Sequence, residues 1–177
     1  TSTSENISAQ ALNCMLAFKR AYHSAYETQL QRLAHDTQYR DEMVRWNLRT
    51  TFDALPDSAS REALGRDICH LCFGKLLQRK GRGAKTDLRA KRAVVFTFLS
   101  SLKELEVRSL FALFMRDFVA GSSIDFSARC IKFTDLREIR VSVQLGFVNM
   151  FTDALQQMGD RVLPFLAPIL VLLLKIL

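Results

Sequence analysis

The sequence predicts an all-α protein of antiparallel helix pairs stacked in a row, and three observations carry that reading. Helix breakers are scarce: seven Gly and three Pro in 177 residues, against a usual combined share of about 12%. Apolar residues make up 49% of the chain and recur at three- and four-residue steps, the period of an amphipathic helix. One late helix carries two apolar stripes, which implies neighbours on both of its sides. A chain of this size and apolar content builds a packed core in one domain, or two small ones, without disulfides or metals.

The first expected helix spans 8–33, with Ser8 as N-cap and Ala11, Met15, Phe18, Tyr22, Tyr26, Leu30 and Leu33 on its inner face. His35-Asp36 reads as a polar turn. A second helix over 39–54 uses Met43, Trp46, Leu48 and Phe52 and stops at Leu55-Pro56, because proline disfavours helical geometry in the residue before it. Ser58 or Ser60 caps a third helix, 60–78, with Leu64, Ile68, Leu71, Cys72 and Leu76 facing inward. A basic loop at 79–87 follows. Asp87 caps the helix 87–100, whose apolar face is Ala90, Val94, Val95, Phe98 and Leu99. The helix 103–120 carries Leu105, Leu110, Phe111, Phe114 and Phe118 up to Gly121. Residues 122–133 form an irregular connection in which Ile124, Phe126, Ala128 and Cys130 alternate as in a short extended piece.

Thr134 or Asp135 caps the helix 135–158, which ends at Gly159, the residue type favoured just beyond a helix C-terminus. Its stripes are Val141, Leu145, Val148 and Leu155, and Val143, Phe147, Met150, Ala154 and Met158. Two-sided burial makes Leu145→Asp an unfolding substitution, since an unpaired buried carboxylate costs several kcal/mol. The last helix, 161–177, contains Pro164 near its start and the run Ile169 to Leu174. Consecutive helices, short turns and two-sided burial describe an α-solenoid of the HEAT kind. LPFLAPILVLLL after a Gly turn resembles the second helix of such a repeat.

Membrane and secretory readings do not fit. The run from Val162 to Leu177 is shorter than the ~20 residues of a span and contains Pro164, Pro168 and Lys175. The opening TSTSENIS has no basic-then-apolar signal pattern. It also lacks an initiator Met, and LVLLLKIL stops in mid-helix, so both ends read as cut from a longer chain. Cys14, Cys69, Cys72 and Cys130 follow no disulfide spacing, which fits a reducing compartment.

Charge is distributed unevenly. Eight Lys or Arg fall between Lys75 and Arg92, in KLLQRKGRGAKTDLRAKR, with Asp87 as the only acid. That stretch carries +7, the formal net charge of the whole chain, because the remaining seventeen basic and seventeen acidic residues cancel. A neutral body with one cationic segment suggests a polyanionic partner. The candidate RNA-binding residues are Arg79, Lys80, Arg82, Lys85, Arg89, Lys91 and Arg92. The segment contains no aromatic residue, so phosphate contact rather than base readout is the expected mode.

No catalytic or cofactor motif stands out. Cys69-His70-Leu71-Cys72 offers half of a zinc site without a second ligand pair, and packed structural cysteines are the preferred reading. Gly74-Lys75-Leu76 lacks the upstream glycine and the hydroxyl of a phosphate loop. The thirteen phenylalanines fall at core spacing. No cofactor, metal or small-molecule substrate is expected.

The residues also resemble a known family. Cys14-Met15-Leu16, Phe18-Lys19, Tyr26, Leu30 and Tyr39-Arg40-Asp41-Glu42 form a first block similar to the DRIM (down-regulated in metastasis) family, giant HEAT-repeat scaffold subunits of the small-subunit processome, which is associated with U3 small nucleolar RNA. Phe73-Gly74-Lys75-Leu76, the basic loop, Arg92-Ala93-Val94-Val95 and Phe98-Leu99 form the second. Leu145-Gly146-Phe147 through Gly159 and Leu163-Pro164-Phe165-Leu166-Ala167-Pro168 form the third, in the family's order. Cys69 and Cys72 depart from it, standing where aliphatic residues are expected. The resemblance implies a fragment of a non-enzymatic nucleolar scaffold that binds pre-ribosomal RNA and other processome proteins during maturation of small-subunit rRNA. The rival reading is a HEAT-type nuclear transport or adaptor protein binding acidic protein partners.

Overall fold

Side chains that compete for backbone hydrogen bonds, more than the apolar rhythm, decide where the helices begin. The computed structural model describes residues 3–17, 21–77, 85–120, 124, 126 and 131–176, and for 3–9, 21 and 85–87 the backbone alone. In chain order the helices are α1 (Thr3–Ala17), α2 (Ala21–Ala34), α3 (Tyr39–Arg45), α4 (Leu48–Ala54), α5 (Ser58–Leu77), α6 (Lys85–Leu99), α7 (Glu104–Met115), α8 (Val141–Met158) and α9 (Leu166–Ile176). Short 3₁₀ turns occupy Arg116–Phe118, Leu136–Glu138 and Gly159–Phe165. The protein is all-α, as the sequence predicts; a single antiparallel bridge, Val119 to Phe133, is the β pairing among the described residues.

Several boundaries differ from expectation, four of them for a local reason. The stretch 8–33 is two helices, α1 and α2, lying against each other, and α2 itself departs from helical geometry at Tyr26 (φ −123°, ψ 17°). Ser8 sits inside α1, and Asp87 inside α6, which opens at Lys85, so neither stands at the N-cap position expected of it. The stretch 39–54 breaks at Trp46 and Asn47, both extended, with ψ of 107° and 98°. Asn47 Oδ1 accepts from the Thr50 N–H at 3.3 Å, and Trp46 Nε1 donates to Thr51 Oγ1 at 2.8 Å, so the side chains reward a break that periodicity does not reveal. Asp57, not a serine, caps α5: its carboxylate accepts from the N–H of Ser60 at 2.6 Å and from its hydroxyl at 2.8 Å. Asp135 accepts from the Arg137 N–H at 3.0 Å and organises only the 3₁₀ turn, leaving α8 to begin at Val141. Gly159, at φ 53°, ends α8 in a backbone region that favours glycine.

The helices sort into two layers. One holds α2, α5, α7 and the 159–165 turn in sequence; the other holds α3, α6 and α8. Each helix packs on the next in its own layer, and α2 on α3 and α5 on α6 join the layers. This arrangement is a helical repeat stack. Aromatic rings fill its seams: Phe111 stacks on Phe165 with centroids 4.5 Å apart, and Phe118 meets Phe147 at 4.9 Å. Gly65 lets α5 and α7 approach closely, since a Cβ there would lie 2.9 Å from Glu106 Cβ.

Two polar clamps tie α5 to α2. Asp67 accepts from Tyr22 Oη at 3.2 Å and pairs with His23 Nε2 at 3.0 Å, all three buried. At the other end Lys75 Nζ donates to the Ala34 carbonyl and to Asp36 Oδ1, the latter at 2.7 Å, and lies over the Tyr39 ring.

The two-sided burial expected of α8 is not observed. Phe147, Met150, Ala154 and Met158 are buried, but Val141 is 76% exposed, Leu145 59% and Leu155 40%. α8 stands last in its layer among the described residues, so Val141, Leu145 and Leu155 of the first stripe stay exposed while Val148 of that stripe packs against the core. No described helix is long and apolar enough to cross a membrane.

Candidate nucleic-acid interface

The cationic stretch divides into parts with different fates. Arg79, Lys80 and Arg82 lie outside the described residues. Lys85 opens α6, and its side chain is likewise outside them. The other four cations are placed, and two of these are turned to structural use.

Lys75 is the clearest case. With a side chain only 4% exposed, it is committed to Asp36, and its charge does not reach a partner in solvent. Arg92, 15% exposed, directs Nη1 to Asp153 Oδ2 at 3.2 Å. Arg89 remains 66% exposed; its Nε lies 3.7 Å from Asp153 Oδ1 and its Nη2 donates to Gln156 Oε1 at 2.5 Å. Lys91 is half-buried.

Asp153 therefore joins α6 to α8 through both arginines. It is the only charged residue of α8, a signal in the sequence that marks an acid with a cationic neighbour. A carboxylate beside two guanidiniums lowers the local positive potential, so Arg92 offers a phosphate less than its formal charge suggests. Arg89 keeps most of its guanidinium in water while leaning on Asp153.

The cysteine pair has a different environment. Cys69 and Cys72 are completely buried, and Cys69 Sγ lies 3.5 Å from the Glu106 carbonyl, which it donates to. Burial pushes the Cys69 thiol up to about 12 and the Cys72 thiol well above its ordinary value. Both stay protonated, so neither presents the thiolate that binds a metal or attacks an electrophile. No three His, Cys, Asp or Glu side chains come together as ligands among the described residues.

The family model for the N-terminal part of U3 small nucleolar RNA-associated protein 20 matches residues 1–177. A curated protein named U3 small nucleolar RNA-associated protein 20, from Schizosaccharomyces pombe, is 21% identical over 153 residues. The match covers 85% of this chain and 6% of that protein, so the chain spans a small part of the relative's length. No solved structure matches.

Proposed function

Because the chain belongs to the U3 small nucleolar RNA-associated protein 20 family over its full length, we propose that it is a segment of a long, non-enzymatic HEAT-type scaffold in the small-subunit processome. It works in the nucleolus, where it supports the folding and processing of pre-ribosomal RNA toward small-subunit rRNA and binds other processome proteins. The resemblance of three ordered blocks to the down-regulated-in-metastasis family points to the same scaffold. The whole-chain family match carries the reading, and the two-layer helical stack supports it, because repeat surfaces suit many weak contacts better than one deep pocket.

On this reading the segment from Arg79 to Arg92 touches RNA phosphates through Arg79, Lys80, Arg82, Lys85, Arg89 and Lys91, with Arg92 contributing least. Phosphate neutralisation releases condensed counterions, so affinity falls with salt at about 0.7 per contact on a log–log plot for single strands. The test is sedimentation of the tagged chain from cell extract on a gradient. The expected result is co-migration with pre-ribosomal particles that RNase abolishes. Recovery in light fractions with and without RNase overturns the proposal and favours an adaptor of acidic proteins.

A further inference from the structure

The break at Trp46-Asn47 ends α3 early, and an open groove of about 500 Å³ runs between α3, the start of α4 and α6. Trp46 and Phe98 lie in its floor and are at most 8% exposed. The surface it offers to solvent comes from Val44 on one side and from Ala93, Val94 and Thr97 on the other. Val44, at 83%, is the most exposed large apolar side chain among the described residues. None of the lining residues belongs to the basic stretch.

Charge beside the groove is not balanced. Arg45 and Arg49 each follow a lining residue, are exposed, and meet no carboxylate among the described residues. Two acids of the same wall are already engaged: Glu42 is buried against Arg32 at 3.5 Å, and Asp53 lies 3.6 Å from Lys103. Arg40 and Asp41 offset each other in formal charge, which leaves the two arginines uncompensated. The opposite wall is lined by small side chains one helical turn apart, Ala93 and Thr97, and Ser101 follows four residues later. Small side chains at a contact let a second helix come close.

We propose that this groove binds an acidic amphipathic helix of a partner protein. Its apolar side chains lie against Val44, Ala93 and Val94, and its carboxylates meet Arg45 and Arg49. An amphipathic helix laid in a groove between helices is a recurrent mode of peptide recognition, and charges on the rim select and steer the partner. RNA fits the groove less well. A base stacks on an open aromatic face, whereas the rings of Trp46 and Phe98 are covered and the indole N–H is held by Thr51. What remains accessible is aliphatic, which suits leucine or valine side chains. The inference goes beyond the function proposed above and does not depend on it, since the sedimentation test can fail while the groove still holds its helix.

The experiment selects on the wild-type chain from a phage-displayed library of random sixteen-residue peptides. Enriched peptides are expected to carry apolar residues at helical spacing, three and four apart, with an excess of Asp and Glu. A synthetic copy of the most enriched peptide should bind Val44→Asp about tenfold more weakly than wild type, a loss within reach of one interface side chain. The double variant Arg45→Glu, Arg49→Glu should lose about as much. All three positions are exposed, so melting temperatures should stay unchanged. Enrichment of basic or uncharged peptides overturns the proposal, as does the absence of any enrichment. Equal binding of the peptide to wild type and to Val44→Asp overturns it too. Loss of decauridylate binding in Val44→Asp, without loss of peptide binding, assigns the groove to RNA and has the same consequence. Should Val44→Asp fail to fold, the arginine double variant decides, and an unchanged peptide affinity there overturns the site.

Discussion

Alanine at Gly65 and alanine at Gly74, made separately on α5, should shift stability in opposite directions. Both positions are helical, so each substitution gains about 0.5–1 kcal/mol from the smaller backbone entropy loss on folding. At Gly74 a Cβ meets nothing within 4 Å, and that gain is the whole effect. At Gly65 the new Cβ lies 2.9 Å from Glu106 Cβ and 3.2 Å from Glu106 Cα. The Cα cannot turn aside as a flexible side-chain tip does, and the Glu106 carboxylate is also tied to the Lys103 N–H. The helices must separate by a few tenths of an ångström, loosening fully buried Leu64 and Ile68 from Val107 and Leu110. Overpacking of this kind costs about 1–3 kcal/mol, leaving Gly65→Ala destabilised by ~0–2 kcal/mol. The two variants should therefore differ by about 1–3 kcal/mol in urea unfolding followed by circular dichroism, with unchanged m-values. Equal stabilisation of both would refute the close approach of α5 and α7.

Three further outcomes follow from burial and charge. Leu145→Asp should change stability by no more than about 0.5 kcal/mol, as at ordinary surface sites, whereas Phe147→Ala on the buried face should cost about 3–5 kcal/mol; unfolding by Leu145→Asp in a thermal melt would show that the outer stripe is packed after all. Asp57 is held below its ordinary 3.8, chiefly by the Ser60 N–H and then by its hydroxyl. Its folded value lies under the unfolded one, so the cap's contribution is complete above the unfolded value and disappears as pH falls through the folded one. The stability gap between wild type and Asp57→Ala should hold from neutrality to ~pH 5 and shrink in acid; a gap that widens there contradicts the cap. Cys69 and Cys72, buried with raised thiol values, should be alkylated by iodoacetamide only as fast as the chain unfolds, and rapid native-state modification, followed by mass spectrometry of their peptide, would place them at the surface.

The fold class was legible because it depends on short-range statistics: few breakers and a persistent helical period. Several boundaries were not, because single side chains set them. Asn47 with Thr50, and Asp57 with Ser60, reward a local break or start inside stretches whose apolar rhythm runs on. The exposed stripe of Val141, Leu145 and Leu155 shows a further limit: periodicity reveals that a face is apolar, and only the arrangement of other helices decides whether it is covered. The candidate site divides in the same way. Concentration of charge between Lys75 and Arg92 is a property of the linear chain and is visible there. Which of those charges are already answered is a matter of tertiary structure, since Lys75 finds Asp36 across 39 residues and Arg92 finds Asp153 across 61.

The most direct measurement of the RNA-contact claim is the salt dependence of binding to a single-stranded oligoribonucleotide, for the wild-type chain and for one with Arg79, Lys80, Arg82 and Lys85 replaced by Glu. The account predicts that the variant remains folded and that its log–log slope is flatter by about 0.7 for every phosphate it no longer neutralises. An unchanged slope with unchanged affinity at low salt would contradict it.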